Sequence, residues 1–142
     1  MKEKLEILLG DDAFYDSSTK NIFKEAYLSK LNENLINYEI NFTLETEPKK
    51  VIENAHKYQI VVTDLDYTGD GCGKQGYEII EHVSNLNPKP LLILCTSSDN
   101  IIEINKMVRT KIDYHAGTGK GHKFEDLIEI LTKHLKGGIK NE

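Results

Sequence analysis

The chain has 142 residues, a formal net charge of −5, 39% hydrophobic and 29% charged residues; that is one domain with an ordinary globular core, and it excludes a disordered chain. The acidic balance argues against nucleic-acid binding by the domain itself. No stretch approaches the roughly 20 apolar residues that span a bilayer, acids stand in the opening MKEKLEILLGDD where a signal peptide needs an apolar core, and Cys72 and Cys95 have neither metal spacing nor a layout suited to a disulfide, so a cytoplasmic setting without membrane contact is expected.

Short apolar runs then alternate with amphipathic segments. Leu5–Leu9 reads as a strand, and Ser17 or Ser18 can cap a helix in which Ile22, Phe23, Ala26, Tyr27 and Leu31 recur at helical spacing. Tyr38, Ile40, Phe42 and Leu44 alternate with polar residues, the pattern of a strand covered on one face and placed towards a sheet edge. Pro48 suits the first turn of a helix carrying Val51, Ile52 and Ala55. The run Ile60–Thr63 is a buried strand, and Tyr67–Gly76 is a Gly-rich loop expected to be mobile. Tyr77–Leu86 places Ile79, Ile80, Val83 and Leu86 on one helical face, Leu91–Cys95 is a fourth strand, and Ile101, Ile102, Ile104 and Val108 mark a fourth helix. Lys111–His115 reads as a weak fifth strand, and Phe124, Leu127, Ile128, Leu131 and Leu135 mark a closing helix whose charged residues form a solvated face. Five βα units in sequence imply right-handed crossovers and a doubly wound parallel sheet with helices on both faces. Residues 1–136 make this domain; Gly137–Glu142, polar and with a Gly pair, reads as a tail or the start of a linker.

Three strand ends carry polar groups. Ile60–Thr63 ends on Asp64, with Asp66 two residues later; Leu5–Leu9 ends, after Gly10, on Asp11 and Asp12; Leu91–Cys95 ends on Thr96, Ser97 and Ser98. Ligands of open parallel sheets bind just outside the carboxyl ends of the strands, so these residues make a cation site beside a nucleophile. Singly each has a plainer reading: Asp11 and Asp12 as helix caps, Asp64 as a turn former, Thr96 as a strand-end hydroxyl. The five histidines, His56, His82, His115, His122 and His134, share no spacing and read as surface residues rather than ligands. Tyr114 reads as a half-buried strand tyrosine.

In this order the motifs resemble the receiver domain of bacterial response regulators, over nearly the whole chain. Gly76-Tyr77-Glu78-Ile79-Ile80 resembles the glycine and apolar helix start that follow the phosphoacceptor in that family. The resemblance implies a flavodoxin-like sheet of strand order 2-1-3-4-5. It implies that Asp64 accepts a phosphoryl group from a histidine kinase or phosphotransfer protein, in a self-limited phosphorylation rather than enzymatic turnover. Mg²⁺ would be held by Asp12 and Asp64, by Asp11 partly through water, and by the backbone carbonyl of Asp66. Thr96 would hydrogen-bond a phosphoryl oxygen, with the small Ser97 leaving access, and Lys120 would contact the acceptor and then the phosphoryl group. The event would pass to an output domain or partner protein through the fourth helix, fifth strand and fifth helix, where Tyr114 occupies the place of the family's rotamer-switching aromatic. The chain departs from the family in three ways. No Pro follows the lysine in Ala116-Gly117-Thr118-Gly119-Lys120-Gly121-His122-Lys123, which leaves Lys123 as the alternative to Lys120; the loop after Asp64 lacks the family's Met-Pro pair and is longer; and Asp66 adds an acid near the metal.

Asp64-Leu65-Asp66-Tyr67-Thr68 also matches the DxDxT signature of haloacid-dehalogenase-like phosphatases, with Asp64 as nucleophile, Asp66 as general acid and Leu91–Thr96 as their second motif. Those enzymes carry DxDxT near the N-terminus and an acidic motif near the end, whereas here the acid pair comes first; motif order ranks the receiver ahead. A third reading is a degenerate receiver that docks independently of phosphorylation, favoured by the altered lysine region and opposed by Asp11, Asp12, Asp64 and Thr96.

Overall fold

The structure is a computed structural model, and its described residues are 2–11, 17–65, 74–95, 106, 110–116 and 123–140. In chain order the elements are β1 (Glu3–Gly10), α1 (Ser17–Asn34), β2 (Tyr38–Glu45), α2 (Pro48–Asn54) running into a 3₁₀ turn at Ala55–Lys57, β3 (Ile60–Thr63), α3 (Lys74–Ser84), β4 (Leu91–Cys95), β5 (Tyr114–Ala116) and α4 (Lys123–Lys140). The five strands form one all-parallel sheet of order β2-β1-β3-β4-β5, the doubly wound order expected.

Burial follows position in the sheet. β3 is buried at every residue and β4 at all but its first, the signature of central strands covered on both faces, while edge strand β2 alternates. Because successive side chains point to opposite faces, the sheet divides the core in two. Leu5, Ile7 and Leu9 with Phe42, Val62 and Ile93 face Tyr27, Leu31 and Leu35 of α1 and its following turn, and Leu127, Ile128 and Leu131 of α4. Leu8, Val61, Leu92 and Leu94 face Val51 and Ala55 on one side and Ile79, Ile80 and Val83 of α3.

Four boundaries or faces differ from the sequence reading. In α1 the buried stripe is Tyr27 and Leu31, whereas Ile22 is 68% and Phe23 38% exposed; helical spacing defines a stripe but not how far along a helix the sheet reaches. α3 begins at Lys74, three residues before the periodic run, so Gly76 belongs to the helix and not to the loop. β5 is Tyr114–Ala116 and not Lys111–His115. The preceding residues bond differently: Lys111 pairs with Glu81, Ile112 is buried on the α2/α3 side, and Asp113, whose N–H donates to the Leu92 carbonyl at 2.8 Å, meets the Leu92 N–H with its carboxylate at 2.9 Å and also accepts from Lys89 at 2.8 Å. Pairing with β4 therefore starts at Tyr114 opposite Ile93. α4 continues as helix through Gly137 and Gly138 to Lys140, into the segment that composition assigns to a tail. Of the fourth expected helix only Lys106 and Thr110 are described; both are helical, and the Thr110 hydroxyl donates to the Lys106 carbonyl at 2.9 Å. No helix among the described residues is long and apolar enough to cross a membrane.

Candidate functional site at the carboxyl edge of the sheet

β1 and β3 are hydrogen-bonded neighbours with Gly10 opposite Thr63, and the Asp64 N–H donates to the Gly10 carbonyl at 2.9 Å. Asp11 and Asp64 therefore leave adjacent strands at the same level. On its other side Asp11 is tied to β2, its N–H donating to the Glu45 carbonyl at 2.9 Å. Both acids are buried, Asp11 at 6% and Asp64 at 9% exposure, and with Thr63 they are the buried polar side chains among the described residues. Burying a carboxylate is costly, and two on adjacent strand ends in an otherwise apolar core make this edge the candidate site.

Local bonds orient Asp64. Its Oδ1 accepts from the N–H of Leu65 at 2.7 Å, and the Thr63 hydroxyl donates to its backbone carbonyl at 2.8 Å. The first turn of α3 presses on this same backbone: the Gly76 N–H donates to the Leu65 carbonyl at 2.9 Å, and a Cβ on Gly76 would lie 2.5 Å from the Asp64 carbonyl oxygen and overlap Leu65 as well. Gly76 is thus a close-approach glycine that lets α3 seat against the end of β3. From the opposite face, buried Tyr27 of α1 stacks on Phe42 with ring centroids 4.9 Å apart and planes at 14°. Burial first, and then the charges of Cys95, Asp11 and Glu125, push its phenol well above the usual tyrosine range. Tyr27 thus stays protonated beneath the acids.

Of the expected site residues the structure brings Asp11 and Asp64 together. Asp12, Asp66, Thr96 and Lys120 fall outside the described residues, as does the side chain of Lys123. The strand ends from which Thr96 and the lysine segment depart are placed: Cys95 and Ala116 close β4 and β5, pair with one another and are buried. Among the described residues no group of three or more His, Cys, Asp or Glu side chains converges as a metal set; the oxygen-only pair Asp11 and Asp64 is chemistry suited to a hard cation such as Mg²⁺.

The histidines divide. His56 and His82 are exposed, as expected, and His122 lies outside the described residues. His115 and His134 are half-buried, which corrects their reading as surface residues. His134 continues the Leu127, Leu131 stripe at i+7 and i+3, a periodic signal that the polar identity of the residue masks. Sequence reasoning also missed Thr63, whose bond to the Asp64 carbonyl looks in sequence like ordinary β-branched strand content.

No family model matches the sequence, and no curated protein matches it. Solved structures do match. The chain aligns with the signal receiver domain of NarL from Mycobacterium tuberculosis over 95% of its length and 98% of that chain, at 14% identity and a TM-score of 0.60. It aligns with the REC domain of AraT, a response regulator from Geobacillus stearothermophilus, over 96% and 98% of the two chains at 16% identity and a TM-score of 0.60. The chain has the receiver-domain fold. The isolated REC domain of RcsB from Salmonella enterica serovar Typhimurium matches at 17% identity and a TM-score of 0.63. Against a longer RcsB chain from Salmonella typhimurium the receiver fold spans 62% of that chain. At these identities the backbone fold is what the chains share.

Proposed function

We propose that the chain is a phosphorylatable receiver in which Asp64 accepts a phosphoryl group. The observation that carries this reading is the pair of buried carboxylates, Asp11 and Asp64, on adjacent strand ends of a receiver fold. A carboxylate oxygen of Asp64 attacks phosphorus as the bond from phosphorus to the donor breaks, which gives an acyl phosphate on the protein and the freed donor. The bond from the Leu65 N–H holds the carboxylate so that one oxygen is anchored to the backbone during attack. Attack of one anion on another requires charge neutralisation. Asp11, Asp12, Asp64 and the Asp66 carbonyl would hold Mg²⁺, whose contribution is to offset the negative charge of acceptor and phosphoryl group. Thr96 and Lys120, or Lys123 in place of Lys120, would hydrogen-bond the phosphoryl oxygens. The donor is a histidine kinase or phosphotransfer protein in the cytoplasm, and the recipient of the signal is an output domain or partner protein engaging β5, α4 and the helix containing Lys106.

Acetyl phosphate with Mg²⁺ should load one phosphoryl group per chain by intact mass, and Asp64→Asn should take up none. Steady hydrolysis of an aryl phosphate over many turnovers, lost in both Asp64→Asn and Asp66→Asn, would replace this reading with the phosphatase. Beryllofluoride with Mg²⁺ should shift the backbone NMR resonances of Asp11, Asp12, Asp64 and Thr96; unchanged resonances would replace it with the phosphorylation-independent docking module.

A further inference from the structure

β5 is the shortest of the five strands among the described residues. It is three residues long, lies at an edge of the sheet and pairs with β4, and its last residue, Ala116, stands opposite Cys95 at the carboxyl end of β4. Tyr114 opens it, and its phenol oxygen lies 3.0 Å from Nδ1 of His134 on α4. The two rings meet edge to face, with centroids 5.5 Å apart and planes at 77°. His134 sits on the inward stripe of α4, one turn beyond buried Leu131. A leucine there would pack without the cost of burying a polar ring, so an imidazole at this position needs its hydrogen bond. Both partners can keep that bond: a neutral ring protonated on Nε2 accepts the phenol proton, and an imidazolium donates from Nδ1 to the phenol oxygen.

We infer that His134 is a positioning residue: through Tyr114 it latches the start of β5 to α4 and so holds Ala116 opposite Cys95 at the edge of the proposed phosphoryl-acceptor site. The first half of this inference stands on the geometry alone, and the second rests on the proposed function. The latch joins two elements that the sheet ladder does not join. α4 is anchored by Leu127, Ile128 and Leu131, so it supplies the rigid partner and β5 the held one.

The test is hydrogen exchange at the Tyr114, His115 and Ala116 amides of the full chain, with the Ile7 and Val62 amides as internal reference. Tyr114→Phe keeps the ring and loses the bond; His134→Leu keeps the packing and loses the bond; His134→Asn keeps a polar atom where Nδ1 stands. Tyr114→Phe and His134→Leu should each speed β5 exchange roughly three- to tenfold over the reference. The double variant should add nothing to either single one, and His134→Asn should restore the slow exchange. Unchanged exchange, independent effects in the double variant, or equal acceleration at Ile7 and Val62 would overturn the latch. Apparent affinity for beryllofluoride with Mg²⁺ should fall by a similar factor in the same two variants. Undiminished affinity in them would overturn the positioning role, whereas a wild-type chain that binds no beryllofluoride overturns the proposed function and leaves the exchange result standing.

Discussion

Asp11 and Asp64 are the residues at which stability and the proposed function oppose one another. Burial strips water from both carboxylates, and replacing one by an amide of the same volume should lower that cost. Asp11→Asn is therefore expected to raise the unfolding free energy by about 1 kcal/mol in urea titration while abolishing the beryllofluoride response. Tyr27 gives a pH prediction. Its pKa is raised in the folded chain, so the unfolded chain ionises first as pH climbs past ~10. The contribution is fully present below that pH and is lost above it at about 1.4 kcal/mol per pH unit. Tyr27→Phe should flatten this alkaline decline in a series of urea melts, leaving stability near neutrality much closer to that of the parent.

At the scale of elements, α3 and α1 make opposite points about substitution. Gly→Ala within a helix ordinarily stabilises by about 1 kcal/mol, but a Cβ at Gly76 meets the Asp64 and Leu65 backbone, which cannot yield as a side chain can. Gly76→Ala should destabilise by about 2–3 kcal/mol and shift the Asp64 amide resonance; a stabilised variant would mean that α3 does not seat on the end of β3. In α1, Leu31 is fully buried while Ile22 points outward. Leu31→Ala should cost about 3 kcal/mol, and Ile22→Lys should fall within about 0.5 kcal/mol of the parent. These two substitutions would be equivalent if the apolar periodicity of α1 alone decided burial.

For the whole molecule, both core layers share one sheet: β1 sends Leu5, Ile7 and Leu9 to the α1/α4 side and Leu8 to the α2/α3 side. Neither layer can open without exposing the strands that carry the other. Far-UV and near-UV circular dichroism should therefore report coincident unfolding midpoints, and separated midpoints would show that the layers melt independently. The strands β3 and β4 and the doubly wound parallel class were legible in the sequence, because a central parallel strand must be apolar on both faces and βα units wind with right-handed crossovers, whereas the strand order came from the family resemblance. Asp11 and Asp64 were legible too, since an acid that ends an apolar run has to emerge at the carboxyl edge wherever the helices pack. Tertiary contact alone decided the rest. The start of β5 depends on Asp113 being drawn to Leu92 and Lys89, the outward turn of Ile22 on how far α1 overlaps the sheet, and the burial of His134 on Tyr114 reaching across from β5. Each joins residues distant in sequence, and local periodicity carries no information about a partner it does not contain.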